Sequence, residues 1–303
     1  MPILFALVGA TGVGKSKLSL DLACRYNAEI IGVDSRQVYR DFCIGTAQPN
    51  SKDLSAVKHH LVDFLPPTES YSAGAFCRDV KSILNKKGGK NFILVGGTGL
   101  YMQALQLGLP ELPDLNTQSD IRKELNNRLQ TLGAVNLYEI AKKIDPETTI
   151  KIEPNNVQRL MRVIEIFETT GKKLSEIQKK RVGGLGPIKT FWLSRERFEL
   201  YRRIDFRVDQ MMKDGWMDEV QALAKTVPLD APAWQSLGYR ELLHAQTAED
   251  VATVLEEVKK KTRNYAKRQL TWFRTQMDTI AVDLDNEKNP AEFICNRLLV
   301  NGG

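Results

Sequence analysis

The residues best suited to chemistry form a glycine-rich segment near the start of the chain, Gly9-Ala10-Thr11-Gly12-Val13-Gly14-Lys15-Ser16. Two glycines separated by four residues and followed by Lys and Ser are typical of a phosphate-binding loop. Such a loop turns successive N–H groups toward phosphate oxygens, Lys15 adds positive charge, and the Ser16 hydroxyl can bind Mg²⁺. The segment predicts a site for a di- or triphosphate, with a plain glycine-rich turn as the alternative.

The flanking elements place this loop and a nearby carboxylate. The apolar run 3–8 predicts a buried strand before the loop, and the apolar face of 17–26 predicts a helix after it. The run 29–34 predicts a second strand that ends in Asp34. Because ligands gather at the carboxyl ends of parallel strands, we expect Asp34 to face the phosphate site. It could hold magnesium, accept a proton from a nucleophile or cap a turn.

Two further segments belong to the same predicted sheet. Residues 91–101 repeat the order strand, glycine-rich turn, helix, and they place the Thr98 hydroxyl at the carboxyl end of the strand; a simple helix cap is its alternative role. Residues 59–64 predict another strand. Its neighbouring His59 and His60 point to opposite faces, and no third ligand lies at a recognisable spacing, so we expect no metal site there.

The order of elements predicts an α/β fold with a P-loop NTPase-like parallel sheet flanked by helices. Residues 114–182 show helical periodicity with almost no strand pattern, which predicts an all-helical insertion. The core then consists of 1–113 and 183–303. Within it, Thr247 and Asp250 predict a capping box for the longest helix, which extends to about residue 276.

Composition excludes several classes of protein. The chain has 303 residues, of which 42% are hydrophobic and 26% charged, as in ordinary globular proteins. Its four cysteines are far apart and predict neither a disulfide framework nor a zinc site. The N-terminus lacks the basic start of a signal peptide, and no apolar run approaches the roughly 20 residues of a membrane span. We expect a cytoplasmic protein without membrane contact.

Positive charge collects on the predicted long helix, although the formal net charge is only +6. Seven basic residues fall close together: Lys259, Lys260, Lys261, Arg263, Lys267, Arg268 and Arg274. Tyr265, Trp272 and Phe273 are interleaved with them, and no acidic partners follow at the spacing of four. A solvated helix face is the ordinary explanation for such a run; here the pattern favours polyanion binding. Phosphate contacts of this kind give affinity but not sequence choice.

Taken in order, these segments resemble the bacterial tRNA dimethylallyltransferases, also called tRNA isopentenyltransferases, over about residues 4–285. The resemblance rests on GATGVGKS at 9–16, DSRQVYR at 34–40, IGTAQP at 44–49, HHLVD at 59–63, LVGGTGLY at 94–101, NNVQRLMRVIE at 155–165, RIDFRVDQM at 203–211, LGYRE at 237–241 and KRQLTWFR at 267–274. A phosphate loop alone is weak evidence, but this loop followed by DSRQVY and KRQLTWFR is specific. One departure is Ala10, where many members have Pro.

The resemblance implies transfer of a dimethylallyl group from dimethylallyl diphosphate to the N6 amine of the adenosine just 3′ of the anticodon. The loop 9–16 would hold the donor's diphosphate rather than ATP, with Mg²⁺ on Ser16. Lys15 and Arg207 would stabilise the departing diphosphate. Asp34 resembles the family's base, and Thr98 resembles the residue that touches the bridging oxygen of the leaving group.

The same resemblance implies that the partner is the tRNA anticodon stem-loop, bound by a monomer, with the target base flipped out of its stack. The implied contacts are Asp34, Ser35, Arg36, Gln37, Thr98, Arg122, Gln158, Arg159, Leu160, Met161, Arg162, Gln235, Ser236, Leu237, Gly238, Tyr239, Arg240, Lys267, Arg268, Gln269, Leu270, Thr271, Trp272, Phe273 and Arg274. The helical insertion would then close over the anticodon loop.

Three alternative functions stay open. Residues 9–23 also resemble the plant adenylate isopentenyltransferases, which prenylate free AMP, ADP or ATP, although a mononucleotide needs no basic footprint. A small-molecule kinase would use the same phosphate loop and Asp34, but no Arg-rich lid motif is found. An RNA-binding module without catalysis would tolerate loss of the Asp34 carboxylate.

Overall fold

The structure, a computed structural model, describes residues 3–86, 89–111, 119–245 and 247–299. It divides into two compact units: Met1–Ala104 with Pro187–Gly303, and Leu105–Gly186. The predicted helical insertion, 114–182, falls within the second unit, and its first boundary lies outside the described residues.

A six-stranded sheet organises the first unit. Its strands lie in the order β3-β2-β4-β1-β7-β8, and every neighbouring pair is parallel. The strands of this sheet in chain order are β1 Leu4–Gly9, β2 Ala28–Val33, β3 His59–His60, β4 Asn91–Gly96, β7 Lys189–Ser194 and β8 Ile280–Asp283. Two further strands, β5 Leu109–Pro110 and β6 Arg181–Val182, lie in the second unit. The predicted α/β fold with a parallel sheet flanked by helices is confirmed.

Helices connect the strands along the chain, and those within 119–179 belong to the second unit. They are α1 Lys15–Tyr26, α2 Ser51–Ala56, α3 Ala73–Lys86, α4 Gly99–Leu107, α5 Ser119–Ile144, α6 Pro146–Thr149, α7 Val157–Thr170, α8 Leu174–Lys179, α9 Arg197–Lys213, α10 Trp216–Ala224, α11 Tyr239–Leu243, α12 Ala248–Gln276 and α13 Pro290–Leu299. In α12 the predicted capping box is present: Asp250 N–H donates to Thr247 Oγ1 at 3.1 Å, and Thr247 N–H donates to Asp250 Oδ2 at 2.9 Å.

The sheet core explains why β1 is a central strand. β1 pairs with β4 on one side and β7 on the other. Its side chains Phe5 and Leu7 are fully buried, as are Ile93 and Phe191 on the neighbouring strands. Near-continuous apolar runs of this kind are typical of parallel strands covered by helices on both faces. The carboxyl ends of β1, β2 and β4 therefore share one edge of the sheet.

Strand β3 is shorter than the predicted run 59–64. Leu61 and Asp63 have φ values of 59° and 52°, in the left-handed region, so the extended backbone cannot continue. His60 Nε2 lies 2.5 Å from Glu29 Oε2, and His59 Nδ1 lies 2.8 Å from the Val57 carbonyl. Within the described residues, no group of three His, Cys, Asp or Glu side chains is arranged to hold a metal ion.

The second unit has its own core around α5 and α7. Leu125, Leu137, Leu160 and Val163 are fully buried there. α5 is interrupted at Gly133, whose φ of 75° and ψ of 171° are not helical, so it consists of two helical segments. The unit is not all-helical, because β5 and β6 form a short antiparallel pair.

No helix of the described ranges combines the length and the apolar character that crossing a membrane would need.

Candidate active site

A cavity of about 950 Å³ lies in the first unit, beside the carboxyl ends of β1, β2 and β4. This is where open parallel sheets place their ligands. The cavity brings together many of the predicted site residues: Thr11, Gly12, Gly14, Lys15, Ser16, Asp34, Ser35, Arg36, Gln37, Arg207, Gln235, Ser236, Leu237, Arg268 and Gln269. Thr98 is not part of its wall, although the preceding Gly96 and Gly97 are.

The loop between β1 and α1 has the backbone of an anion site. Gly12 and Gly14 have φ values of 80° and 113°, which residues with a side chain rarely adopt. α1 begins at Lys15 without a side-chain cap, so the first N–H groups of the helix have no such partner. Ala10 and Val13 are fully buried behind the loop. Free amides at a helix N-terminus favour a bound anion.

Among the charged groups of the cavity wall, two cations, Lys15 and Arg207, interact with the carboxylate of Asp34. Lys15 Nζ donates to the carbonyls of Gly9 at 2.9 Å and Ala10 at 2.8 Å. Removal of solvent by the surrounding protein lowers the pKa of Lys15 to about 8, against the attraction of Asp34 and with a smaller contribution from Arg207. Burial also lowers the pKa of Arg207, while Asp34 raises it. Charged together, the two cations exceed the single carboxylate, so an anion would complete the site.

Arginines fix the outer side of the phosphate loop. Arg203 Nε donates to the Gly12 carbonyl at 2.9 Å, and Arg195 Nε donates to the Val13 carbonyl at 2.9 Å. Arg195 also pairs with Asp285 at 2.5 Å. Sequence reasoning missed Arg195, although a basic residue directly after the carboxyl end of β7 could have indicated it. These contacts fix the Gly12 and Val13 carbonyls of the loop.

Asp34 is oriented by its own turn. Its Oδ1 accepts hydrogen bonds from the N–H groups of Arg36 at 2.8 Å and Gln37 at 3.3 Å. Its Oδ2 has no hydrogen-bond partner within the described ranges. The carboxylate is therefore held in place through one oxygen, and the other can accept a proton or a hydrogen bond from a ligand in the cavity.

Thr98 joins the loop after β4 to the loop after β2. Its hydroxyl oxygen accepts a hydrogen bond from Ser35 N–H at 3.2 Å. The phenol of Tyr265 on α12 lies near the same side chain, and burial is the chief cause that raises the pKa of this phenol. Thr98 thus fixes the segment that carries Asp34.

A second network supports Gln37 through the loop 43–48. Gln37 Nε2 donates to the carbonyls of Thr46 at 3.1 Å and Ala47 at 2.7 Å. On the other side of this loop, the carboxylate of Glu219 accepts hydrogen bonds from four donors: Cys43 N–H at 3.1 Å, Ile44 N–H at 2.8 Å, Gly45 N–H at 3.5 Å and Tyr239 O–H at 2.6 Å. Sequence reasoning did not single out Glu219.

Glu219→Gln is expected to lower the free energy of unfolding by about 2 kcal/mol, because an amide NH₂ would replace one acceptor oxygen opposite several donors. Urea denaturation followed by fluorescence measures this change. Glu69→Gln, at an exposed loop position, is the control and should leave stability nearly unchanged. A Glu219→Gln protein as stable as this control would show that the loop does not depend on the carboxylate.

The basic face of α12 is smaller than the sequence indicates. Lys259 pairs with Asp209 and Glu256, Lys261 pairs with Glu241 and Glu257, and Arg263 pairs with Asp205. The spacing of four after each basic residue does not reveal these partners, which come from α9, from α11 and from preceding turns of α12 itself. Exposed basic residues without an ion pair in the described part of α12 are Lys260, Lys267, Arg268 and Arg274. We use "basic face" for these four.

Several residues with implied tRNA contacts have inaccessible side chains. Tyr239 and Phe273 are 0% and 1% exposed, so their side chains pack in the core rather than present a surface. Ser236 and Gln269 are 3% and 6% exposed and line the cavity. In the segments 235–240 and 267–274 the exposed residues are Gln235, Arg240, Lys267, Arg268, Thr271 and Arg274.

The implied contacts in the second unit lie on α7 and α5. Gln158 and Arg159 are exposed at the start of α7, whereas Leu160 belongs to the core and is fully buried, so its side chain cannot contact a ligand. Arg162 pairs with the buried Glu165 at 2.7 Å. The backbone of Arg122 is part of α5, but its side chain lies outside the described residues.

The sheet is parallel, and the loop 9–16 and a cationic cavity lie at one edge of it. This combination defines a P-loop protein whose site is suited to a phosphate-bearing ligand. Comparison with known proteins gives the family. The IPP transferase family model matches residues 37–276. The tRNA dimethylallyltransferase of Fusobacterium nucleatum is 42% identical over 281 residues, which cover 92% of this chain and 91% of that protein. That of Bacillus licheniformis is 39% identical over 287 residues, covering 93% and 91%.

Solved structures agree with this. The full-length tRNA isopentenylpyrophosphate transferase of Bacillus halodurans superposes with a TM-score of 0.70 at 34% identity, covering 99% of this chain and 98% of that one. A eukaryotic dimethylallyltransferase acting on tRNA has a TM-score of 0.81 at 28% identity, covering 99% and 80%. The chain belongs to the IPP transferase family.

Proposed function

We propose that this protein is a prenyltransferase that moves the dimethylallyl group from dimethylallyl diphosphate to the N6 amine of the adenosine 3′ of the anticodon in tRNA. The observation that carries this proposal is the placement of Lys15, Arg207 and the half-free carboxylate of Asp34 in one cavity. Such a cavity can bind a departing anion and steer an attacking amine. Family membership supports tRNA as the acceptor.

In the proposed reaction the amine nitrogen forms a bond to C1 of the allyl group, and the bond from C1 to the diphosphate oxygen breaks. The amine proton passes to Asp34 Oδ2, and diphosphate leaves with the bonding electrons. Because an allyl cation is itself stabilised, the step needs mainly positioning and neutralisation of the leaving group. The amides of loop 9–16, Lys15 and Arg207 supply that neutralisation.

Thr98 has an indirect role in this proposal. Its hydroxyl accepts a hydrogen bond from Ser35 N–H, so it orients the turn that carries Asp34. Contact with the bridging oxygen of the donor, as the family resemblance implies, remains a further proposal for the same hydroxyl.

The donor set fits Mg²⁺ in the manner of other phosphate loops. Ser16 is exposed in the first turn of α1 and lines the cavity, whereas no acidic cage is present in the described part of the chain. Mg²⁺ commonly binds through one or two protein ligands and phosphate oxygens. Ser16 would hold the ion together with the donor, and the ion when bound would neutralise charge on the diphosphate.

Two observations favour tRNA over a free nucleotide as acceptor. The basic face of α12 extends from Lys260 to Arg274, a length of several helical turns, and such a stripe suits a nucleic-acid backbone. Arg268 lies both on this face and in the cavity wall, where it stacks over Tyr265 at 5.7 Å from the ring centre. An adenosine can therefore reach the cavity while its backbone remains on the basic face.

The site should lose affinity for pyrophosphate as the pH rises through about 8. Lys15 is charged below its pKa of about 8 and neutral above it, so the attraction for an anion disappears on the alkaline side. Calorimetric titration with magnesium pyrophosphate between pH 7 and 9 measures this. In Lys15→Ala the decrease should be absent; an identical decrease in both proteins would assign it to another group.

Labelled transfer tests the proposed function. Purified protein, magnesium and labelled dimethylallyl diphosphate are incubated with unmodified tRNA that carries adenosines 3′ of the anticodon, and in parallel with AMP. Label should appear in tRNA alone. Label in AMP would indicate an adenylate prenyltransferase, and transfer of the γ-phosphate of ATP to a small molecule would indicate a kinase.

A further inference from the structure

Gln269 lies in the segment 267–274 that the family resemblance assigns to tRNA contact, yet its side chain is 6% exposed and faces the phosphate loop. Both ends of its amide are used. Oε1 accepts a hydrogen bond from Thr11 N–H at 2.9 Å, and Nε2 donates to the Gly97 carbonyl at 2.9 Å. One side chain from the long helix therefore bridges the loop after β1 and the loop after β4.

The neighbouring turns of α12 support the same loop. Tyr265, four residues before Gln269 and so on the same side of the helix, has its phenol near the Thr98 hydroxyl. A Cβ at Gly97 would lie 2.2 Å from Gln269 Nε2, and a Cβ at Gly99 would lie 2.1 Å from the Trp272 indole. Helix and loop thus approach each other so closely that only glycine fits at both positions.

We propose that Gln269 is a positioning residue for the diphosphate site, not a tRNA contact. Thr11 lies inside the phosphate loop. Without an acceptor for the hydrogen bond of its N–H, this part of the loop could change its orientation. Gln269 fixes this N–H and also ties it to Gly97, next to the residue that orients the Asp34 turn. Preorganised donors stabilise a departing anion best because they need no rearrangement during the reaction.

The proposal divides α12 by face. The exposed side chains of Lys267 and Arg268 serve the nucleic acid. Gln269 follows them in sequence but faces the phosphate loop 9–16, and so serves the donor. A variant at Gln269 should therefore affect the donor, and a variant at Lys267 should affect tRNA. The inference rests on the proposed function for the transfer reaction, but its binding measurement with inorganic pyrophosphate does not require transfer.

The test uses Gln269→Glu and Gln269→Met in the full chain. Glu keeps an acceptor for Thr11 N–H but places a carboxylate oxygen against the Gly97 carbonyl; Met keeps the size and loses both hydrogen bonds. We expect the dissociation constant of magnesium pyrophosphate and the KM for dimethylallyl diphosphate to rise about tenfold or more, with kcat also lowered. The dissociation constant for tRNA should change less than about twofold.

Two further variants make the comparison specific. Gln221→Glu makes the same change at an exposed position of α10 outside the cavity wall, and should leave pyrophosphate affinity unchanged. Lys267→Ala should give the opposite pattern to the Gln269 variants: weaker tRNA binding with a shallower salt dependence, and little change for pyrophosphate. Thermal unfolding of each variant verifies that the fold is retained; Gln269→Met serves if Gln269→Glu does not fold.

Unchanged pyrophosphate affinity in a folded Gln269 variant would overturn the inference, as would a loss of tRNA affinity equal to the loss for pyrophosphate. Suppose that neither the unaltered protein nor any variant transfers the prenyl group, but that the Gln269 variants bind pyrophosphate more weakly. The proposed function then fails and the positioning role stands.

Discussion

Asp34→Asn is expected to lower kcat for prenyl transfer by about 100- to 10,000-fold, the range typical of a lost general base. Asn can still accept the hydrogen bonds from Arg36 and Gln37 through Oδ1, so the turn should survive. The amide that replaces Oδ2 cannot take the proton from the adenosine amine. Single-turnover transfer with saturating tRNA and donor isolates this step from substrate binding.

The matched control is Asp278→Asn, which makes the same change at an exposed position outside the cavity wall and should retain full activity. Pyrophosphate should bind Asp34→Asn at least as well as the unaltered protein, because the variant removes a negative charge near the anion. Transfer by Asp34→Asn within about threefold of the unaltered protein would remove Asp34 from the proposed mechanism.

Lys15→Ala is expected to lower kcat/KM for the donor by about 1,000-fold. Loss of one preorganised donor at a developing oxyanion costs about 100- to 1,000-fold, and Lys15 also contributes a full charge. Arg203 and Arg195 still hold the carbonyls of Gly12 and Val13 in this variant, whereas the carbonyls of Gly9 and Ala10 lose the Lys15 donor. Steady-state transfer at varied donor concentration gives the value.

Lys213→Ala removes an exposed lysine from the end of α9 and serves as the comparison, with unchanged kcat/KM expected. The dissociation constant of tRNA should also be nearly unchanged in Lys15→Ala. If Lys15→Ala lost tRNA affinity and kept pyrophosphate affinity, the loop 9–16 would not be the diphosphate site.

Sequence patterns predicted β1, β2 and β4 well because these strands are short apolar runs that end at glycine or are followed by Asp. The end of β3 was not predictable in this way. The backbone becomes left-handed at Leu61 and Asp63, and the apolar pattern of residues 59–64 does not show this change. The short pairing of β5 with β6 was also missed, because two-residue strands have no periodicity.

The candidate site was predictable where a residue acts through its type and its place in a motif, as for Lys15, Asp34 and Arg207. It was not predictable where residues act through distant partners. Arg195 and Glu219 contact backbone groups far away in sequence, and Gln269 belongs to a segment whose charged neighbours suggest RNA binding. The ion pairs of Lys259 and Arg263 with α9 likewise depend on the fold.

The central position of β1 has a consequence for synthesis of the protein. The first strand made acquires its partner β7 only after the second unit has been translated, and β7 in turn acquires β8 close to the end of the chain. Because long-range parallel pairing is slow and exposed edges invite wrong pairing, the nascent N-terminal half carries an open apolar edge while the ribosome completes the remainder. The second unit, which is one continuous stretch of the chain, can fold in that interval.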